Sequence, residues 1–440
     1  MTTTAPERTQ EPQSSPSRGG RRALREHCVF FAATVTVMLH VADDSFLQPE
    51  PGVSPADHLV SGLLPLGLLA AGAAAYPRVR PGARAVLAIL TGLMGLLVGF
   101  VEAGYYTATV GPSGDDYTGL LAGAAALVLF VLAAVTLWRT RKPGRSRPRR
   151  YLRRTLLAVA GLAVVAELYV PFGMSYLATH VHTAEVPEAH LGVAYEDVTF
   201  TTSDGLEIEG WYVPSRNGAA VIIPGRTKSQ PHARMLIDHG YGVLLYDRRG
   251  EGGSEGDPNL YGWGGSRDVH GAVEFLQGRP DVDPDRIAGL GLSVSGEMLL
   301  QAAAESTDLA AVVSEGAGSR SLAEDLEDYS GATQARAFHV IVTKEAALMM
   351  FSNQLPPESL VDLMPRVAPR PVLLIWAPNG GNRETLNPTY QEQIGSSAEI
   401  WEIDDVKHVQ GIKGHPEEYE RRVIGFLDDA LLDDAPEEGE

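Results

Sequence analysis

Cysteine is nearly missing: Cys28 is the single one in 440 residues, and it sits inside an apolar stretch. No intrachain disulfide can form, and no thiolate cluster can hold a metal. The chain also lacks any set of His, Asp and Glu at metal-ligand spacing, and no Gly-rich phosphate loop leads into a helix through Lys-Ser or Lys-Thr. No metal and no other cofactor is expected. Positive charge is scarce in residues 181–440, which carry 19 Lys and Arg against 44 Asp and Glu, net −25, whereas residues 1–180 are net +6. Nucleic-acid phosphates would be repelled along most of that acidic surface, and no basic stripe offsets it, so nucleic acid is excluded as a partner.

What is present divides the chain in two. Residues 1–26, rich in Thr, Ser, Pro, Gln and Arg, bury too little apolar surface to fold and read as a disordered cytoplasmic tail. Over 27–180 come five apolar stretches, roughly Cys28–Ala42, Leu59–Tyr76, Ala85–Ala108, Leu120–Trp138 and Leu156–Thr179, most of them near the ~20 residues that cross a bilayer as helix. The chain is therefore expected to be an integral membrane protein. All 17 cations of this half fall in the tail, in Arg78, Arg80 and Arg84, and in the run "RTRKPGRSRPRRYLRR", while the alternate loops "DDSFLQPEPGVSPAD" and "TVGPSGDDY" have none. Cations stay on the cytoplasmic side. Five crossings that begin inside then end outside, which places the acidic domain beyond the cell membrane. Glu102 and Glu167 lie within spans three and five, where an ionisable group is a functional candidate, although the outer end of a helix also accommodates a carboxylate.

From Ala194 the pattern changes to strands. "VTFTTSDGLEIEGWYVP" alternates apolar and polar residues around Ser203-Asp204-Gly205, as a hairpin does. Short runs of Val, Ile and Leu then alternate with helices beginning near His232, Ser266, Ser295 and Pro388, with a last one over Pro416 to about Leu432. The runs are "AAVIIP", "YGVLLYD", "RIAGLGL", "AAVVSEG", "PVLLIW" and "AEIWEI". Such strands imply an α/β fold, a mostly parallel sheet with helices on both faces, over 181–432, with 433–440 left as an acidic tail. In "RIAGLGLSVSGEMLL" a strand runs through a sharp turn into a helix, the setting of a nucleophile elbow. Strand and helix pack closely there, so small residues are needed two before and two after the nucleophile. Around Ser293 these are Gly291 and Ser295; around Ser295 they would be Ser293 and Glu297, and a glutamate does not fit. Ser293 is the candidate.

On "HGYGVLLYDRRGEGGSEG", "GLGLSVSGE" and "HPEEYERRVIGFLDDAL", residues 195–432 resemble the α/β-hydrolase superfamily, in particular the serine hydrolases grouped with dienelactone hydrolases and acyl-CoA thioester hydrolases. The resemblance covers nearly all of the acidic domain and none of the apolar spans. It implies a triad in the chain order Ser, acid, His, because a serine hydroxyl needs an oriented base. His408, shortly after "AEIWEI", stands at the family's usual place for that base, and His415 is read as lying near a helix cap. The family puts an Asp after the strand "VLLI", but "WAPNGGNRETLNP" has none. Glu384 is its only carboxylate and the first choice for the acid, with Glu315, after "AAVVSE", as the alternative; Asp404 and Asp405 are read as solvated. The oxyanion donors implied are the backbone N–H groups of Val294 and of Arg226, the latter in a loop where Pro224-Gly225 replaces the usual His-Gly. Asp247, Arg248 and Arg249 are assigned to shaping a loop near the site.

The segment at about 318–368 is too long for a simple crossover and is expected to cap the site. Its Phe338, Met349, Met350 and Phe351 fit either an apolar acyl group or packing against the spans. The leading expectation is a membrane-anchored serine hydrolase acting on an ester or thioester of a small-molecule or lipid-like acyl substrate. The alternatives are a catalytically degenerate module with a signalling or envelope role and a serine peptidase of the same fold.

Overall fold

The structure is a computed structural model that describes residues 18–139, 148–181, 185–326, 330–381 and 384–432. The expected acidic tail 433–440 lies outside these residues, as does the expected disordered tail up to residue 17. Residues 18–26 instead open a helix, because "RGGRRALRE" is rich in the helix formers Arg, Ala, Leu and Glu. The described residues divide into two compact units, one within Met1–Asp43, Pro65–Gly104 and Gly114–Gly144, the other within Asp44–Leu64, Tyr105–Ser113 and Arg145–Glu440.

The N-terminal helices are α1 (Arg18–Ala42), α2 (Leu59–Ala75), α3 (Pro81–Leu96), α4 (Gly104–Thr109), α5 (Asp116–Arg139) and α6 (Pro148–His180), with π-helical turns after α1 and between α3 and α4. Four helical segments, Leu24–Leu47, Leu59–Arg78, Pro81–Thr109 and Asp116–Arg139, are long and apolar enough to cross a membrane. In the first unit, small residues let backbones meet: a Cβ on Gly95 would lie 2.9 Å from the Ala122 carbonyl oxygen of α5, and one on Gly99 would strike the backbone of Gly123. The fifth apolar stretch lies in α6, a continuous 33-residue helix that belongs to the second unit.

The core of the second unit is an eight-stranded sheet in the order β1-β2-β4-β3-β5-β6-β7-β8. The expected hairpin forms β1 (Glu196–Thr201) and β2 (Glu207–Val213), antiparallel with Phe200 opposite Ile208. The six Val/Ile/Leu runs become β3 (Ala220–Pro224), β4 (Gly242–Tyr246), β5 (Ile287–Leu292), β6 (Ala311–Glu315), β7 (Val372–Trp376) and β8 (Ala398–Glu402), and all pairs from β4 onward in the sheet are parallel. The connecting helices are α7 (Arg226–Asp238), α8 (Ser266–Gln277), α9 (Val294–Glu305), α10 (Leu322–Leu326), α11 (Gly331–Ser352), α12 (Leu360–Leu363), α13 (Asn387–Ile394), α14 (Gly411–Gly414) and α15 (Pro416–Leu431). One sheet face packs on α8, α9 and α13 through Val269, Leu276, Leu299, Tyr390 and Ile394; the other packs on α7 and α15 through Leu236, Val423 and Leu427. Each fully buried aliphatic side chain stabilises by about 1.5–3 kcal/mol relative to exposure. Strand order reverses at β3, whose successor β4 lies on one side and β5 on the other, so the carboxyl ends of β3 and β5 border the crevice where such sheets bind ligands.

The 318–368 segment holds α10, α11 and α12, and α11 runs parallel to α6. Ser175 Oγ donates to the Lys344 carbonyl at 2.8 Å, Arg336 pairs with Glu167 at 2.9 Å, and the Phe172 and Phe351 rings lie 4.8 Å apart. Loop 250–265 joins them, with Leu260 N donating to the Ala178 carbonyl at 2.8 Å.

Candidate active site

Ser293 closes β5 and is the N-cap of α9. Its φ of 54° and ψ of −127° lie in a region that L-residues avoid, strain that a surrounding structure must hold in place. The turn is that tight because a Cβ on Gly291 would strike the backbone of Gly296. Gly296 is therefore the small residue that strand–helix contact requires. Ser295 is buried too, but its Oγ donates to the Pro224 carbonyl at 3.0 Å, tying α9 to the end of β3.

Above this turn, His408 Nε2 lies 2.9 Å from Ser293 Oγ, and His408 Nδ1 lies 2.7 Å from Glu384 Oε1. Glu384 is 2% exposed and its Oε2 accepts the backbone N–H of Ala377 at 2.7 Å. Gly380 leaves the space for it, since a Cβ there would collide with the carboxylate. A carboxylate facing Nδ1 favours the tautomer with its proton on Nδ1, which leaves Nε2 free to accept from the serine hydroxyl. These three residues, named from sequence on separate loops, are thus brought into one hydrogen-bonded chain.

Val294 and Arg226 are the first residues of α9 and α7, where backbone N–H groups have no intrahelical partner. Gly225, at φ 98°, makes the turn before Arg226. The Arg226 side chain is buried, pairs with Asp247 and stacks over the Trp211 ring at 4.8 Å. Asp247 accordingly supports this loop from behind. Arg248 pairs with Glu251 of the same loop, and Arg249 ties the loop to Asp268 of α8 and to Asp204 in the turn between β1 and β2. Burial tends to raise the Asp204 carboxyl, but its bonds to Arg249 and Thr202 outweigh that and hold it down at about 2.

The other sequence candidates fall elsewhere. Glu315, the alternative acid, accepts from Gly411 N at 2.8 Å and from the Tyr419 hydroxyl at 2.9 Å. His415 caps α15 and pairs with the exposed Asp405, and Asp404 is exposed. Glu167 of α6 pairs with Arg336 of α11. Met350 and Phe351 are buried, and Phe351 packs on Phe172, Tyr176 and His180 of α6; Phe338 and Met349 are exposed.

The residues that clamp Ala317 and Gly318 were not marked in the sequence. Asn387 Nδ2 donates to both the Ala317 and the Glu384 carbonyls at 2.8 Å, Tyr390 donates to the Gly318 carbonyl at 2.8 Å, and Glu297 accepts Gly318 N–H at 2.9 Å. Burial pushes the Glu297 carboxyl up, against the nearby Arg320 guanidinium. No local pattern in "NPTYQEQI" marks Asn387 or Tyr390, because their partners lie about 70 residues away.

A serine, a histidine and a carboxylate on loops at the carboxyl edge of a mostly parallel sheet with this strand order define a hydrolase-type α/β architecture. The C-terminal region of this chain thus has the fold of the α/β-hydrolases. Residues 212–362 match the family model of X-Pro dipeptidyl-peptidase (S15 family). An uncharacterized protein of Mycobacterium tuberculosis is 33% identical over 172 residues, which are 36% of this chain and 60% of that protein. A polyketide transferase of a Penicillium species is 36% identical over 126 residues, 27% of this chain and 43% of the transferase. This chain therefore spans 60% or less of the length of these two relatives. An esterase of Pyrococcus furiosus superposes with a TM-score of 0.46 at 23% identity, covering 57% of this chain and 98% of the esterase.

Proposed function

We propose that this chain is a membrane-anchored serine hydrolase that cleaves an ester or thioester through an acyl-Ser293 intermediate. The observation that carries the reading is the chain from Ser293 Oγ through His408 to Glu384, at 2.9 and 2.7 Å, with Ser293 on a strained strand-to-helix turn. As Ser293 Oγ bonds to the acyl carbon, its proton passes to His408 Nε2, and Glu384 stabilises the imidazolium. The carbonyl oxygen, now anionic, meets the N–H groups of Val294 and Arg226, each donor contributing roughly 3–4 kcal/mol by analogy with characterised oxyanion holes. The leaving alcohol or thiol takes the proton from His408 as its bond breaks. Water then attacks the acyl-enzyme, giving its proton to His408, which returns it to Ser293. A degenerate, non-catalytic module is disfavoured, since it has no need of the strained serine.

The family-model match favours one second reading, a serine peptidase. The same acyl-Ser293 would form and only the leaving group, an amine, would differ. The deciding test treats the full chain in detergent with a fluorophosphonate probe, then with acyl esters of increasing length and an X-Pro dipeptide anilide. Labelling of Ser293 that Ser293→Ala removes supports the nucleophile, and turnover of esters but not the anilide supports the leading reading. No label on the folded chain refutes both.

Two contacts within the second unit support the orientation read from charge. Gly256 N donates to the Pro51 carbonyl at 2.9 Å, and the Tyr106 hydroxyl to the His180 carbonyl at 3.0 Å. Pro51 lies in a loop that carries no Lys or Arg, and Tyr106 lies in α4 at the end of the third span, next to the other such loop; both loops are the extracytoplasmic ones by charge. This supports α6 as the fifth crossing and the catalytic domain as extracytoplasmic.

A further inference from the structure

We propose that Glu315 is a positioning residue that holds the His408 loop in register with Ser293, an inference that rests on the acyl-Ser293 reading. Glu315 is 3% exposed at the end of β6. Its main chain holds the nucleophile, for Ser293 N donates to the Glu315 carbonyl at 2.8 Å. Its side chain holds the loop of the base: Oε1 accepts Gly411 N–H at 2.8 Å, three residues past His408, and Oε2 accepts the Tyr419 hydroxyl of α15 at 2.9 Å. Burial and the nearby Glu315 carboxylate push the Tyr419 phenol well above its ordinary range, so it remains a donor.

The loop needs such an anchor. Val409, directly after His408, has a φ of 48°, a left-handed conformation that a β-branched residue adopts only when its surroundings enforce it. Gly316, next to Glu315, lies against the imidazole, and a Cβ there would sit 3.1 Å from His408 Nδ1 and 3.0 Å from Val409 Cγ1. Both ring nitrogens of His408 are already engaged, by Ser293 and Glu384, so Glu315 acts through the backbone of the loop. A carboxylate suits this task because it offers an acceptor oxygen to each donor, whereas an amide would turn its NH2 toward one of them.

The test uses the full chain in detergent, a soluble activated ester and the rate of fluorophosphonate labelling. Glu315→Gln is expected to lower kcat and the labelling rate on the order of 10²-fold with KM little changed, as misplacement of a catalytic group does. Tyr419→Phe, which also removes one buried hydrogen bond of Glu315 but leaves the Gly411 contact, should keep kcat near wild type at a similar loss in Tm. Glu384→Gln should lose more, about 10⁴-fold. If Glu315→Gln does not fold, Glu315→Asp, a shorter carboxylate, withdraws the oxygen from the Gly411 N–H, and a fall in kcat in the same direction is expected. The proposal is overturned if a folded Glu315→Gln turns over like wild type, or if it abolishes turnover while Glu384→Gln does not, which would make Glu315 the acid. Turnover that survives Ser293→Ala refutes the underlying acyl-serine reading instead.

Discussion

At the residue scale, the strand-to-helix turn at Ser293 depends on how little side chain surrounds it. Gly291 is the strictest position, because its backbone lies against that of Gly296 with no room for a methyl group. Gly291→Ala is expected to destabilise by about 1–3 kcal/mol or more, as overpacking does, and to abolish Ser293 labelling; thermal melts and probe labelling check both. Ser295 differs. Its hydroxyl anchors the Pro224 carbonyl, so Ser295→Gly should still label at Ser293 but more slowly, as the loop bearing Arg226 loses a tether to α9. Mass spectrometry of the labelled peptide checks the site; a label on Ser295 in the wild type would remove the elbow assignment. Ser293 and Ser295 were separable in the sequence because one choice demands a small residue where Glu297 stands. That Gly296, and not Ser295, makes the close contact emerges only from the turn's geometry.

At the scale of elements, loop 44–64 is docked on the hydrolase domain beside a cavity of about 680 Å³ lined in part by Asp57, Asp257, Arg249 and Arg267. Asp257 approaches His58 at 3.7 Å. Burial pushes the Asp257 carboxyl up to about 7, the neighbouring Asp57 adding to the push and Arg249 opposing it. Unfolded, the same carboxyl titrates near 4. Between those values the folded chain binds the extra proton, so the contribution of Asp257 to stability falls as pH rises from about 4 through about 7. Asp257→Asn, which cannot ionise, is expected to raise Tm at pH 8 and to change little at pH 4. Melts at the two pH values check this, and equal shifts at both would contradict it. The strands and helices of this domain were legible because Val/Ile/Leu runs and amphipathic periods are local. The docking of loop 44–64 was not, since its contacts join residues some 200 positions apart.

At the scale of the whole molecule, α6 packs along α11 within the second unit. It buries Phe351 and Leu348 of α11, and its Ala178 carbonyl holds the loop that contains Gly262, where a Cβ would strike Val294. A fragment starting at residue 185 leaves that face of α11 open to water. It is expected to bind a hydrophobic dye and to melt below the full chain in detergent, roughly 2–4 °C for each kcal/mol of packing lost. Equal melting temperatures would show that α6 is only a tether. Reporter fusions at residues 145 and 435 address the orientation: an internal first reporter and an external second are expected.

The amino-acid sequence by itself determined the α/β class, the order of the strands' appearance, the apolar helices and the charge division between the two parts of the chain. Each is a property of short windows, set by side-chain period and composition. It also singled out Ser293, His408 and Glu384, by turn chemistry and by resemblance to a superfamily. Only the tertiary structure shows which carboxylate faces the imidazole: Glu384 reaches His408 Nδ1, while Glu315, an equally buried carboxylate one strand away, turns to Gly411 and Tyr419. Glu315 ends β6 and Glu384 follows β7, and both strands end at the same edge of the sheet, so local pattern cannot rank them. The choice lies in where a loop of several residues delivers two oxygen atoms, which depends on contacts between segments far apart in the chain.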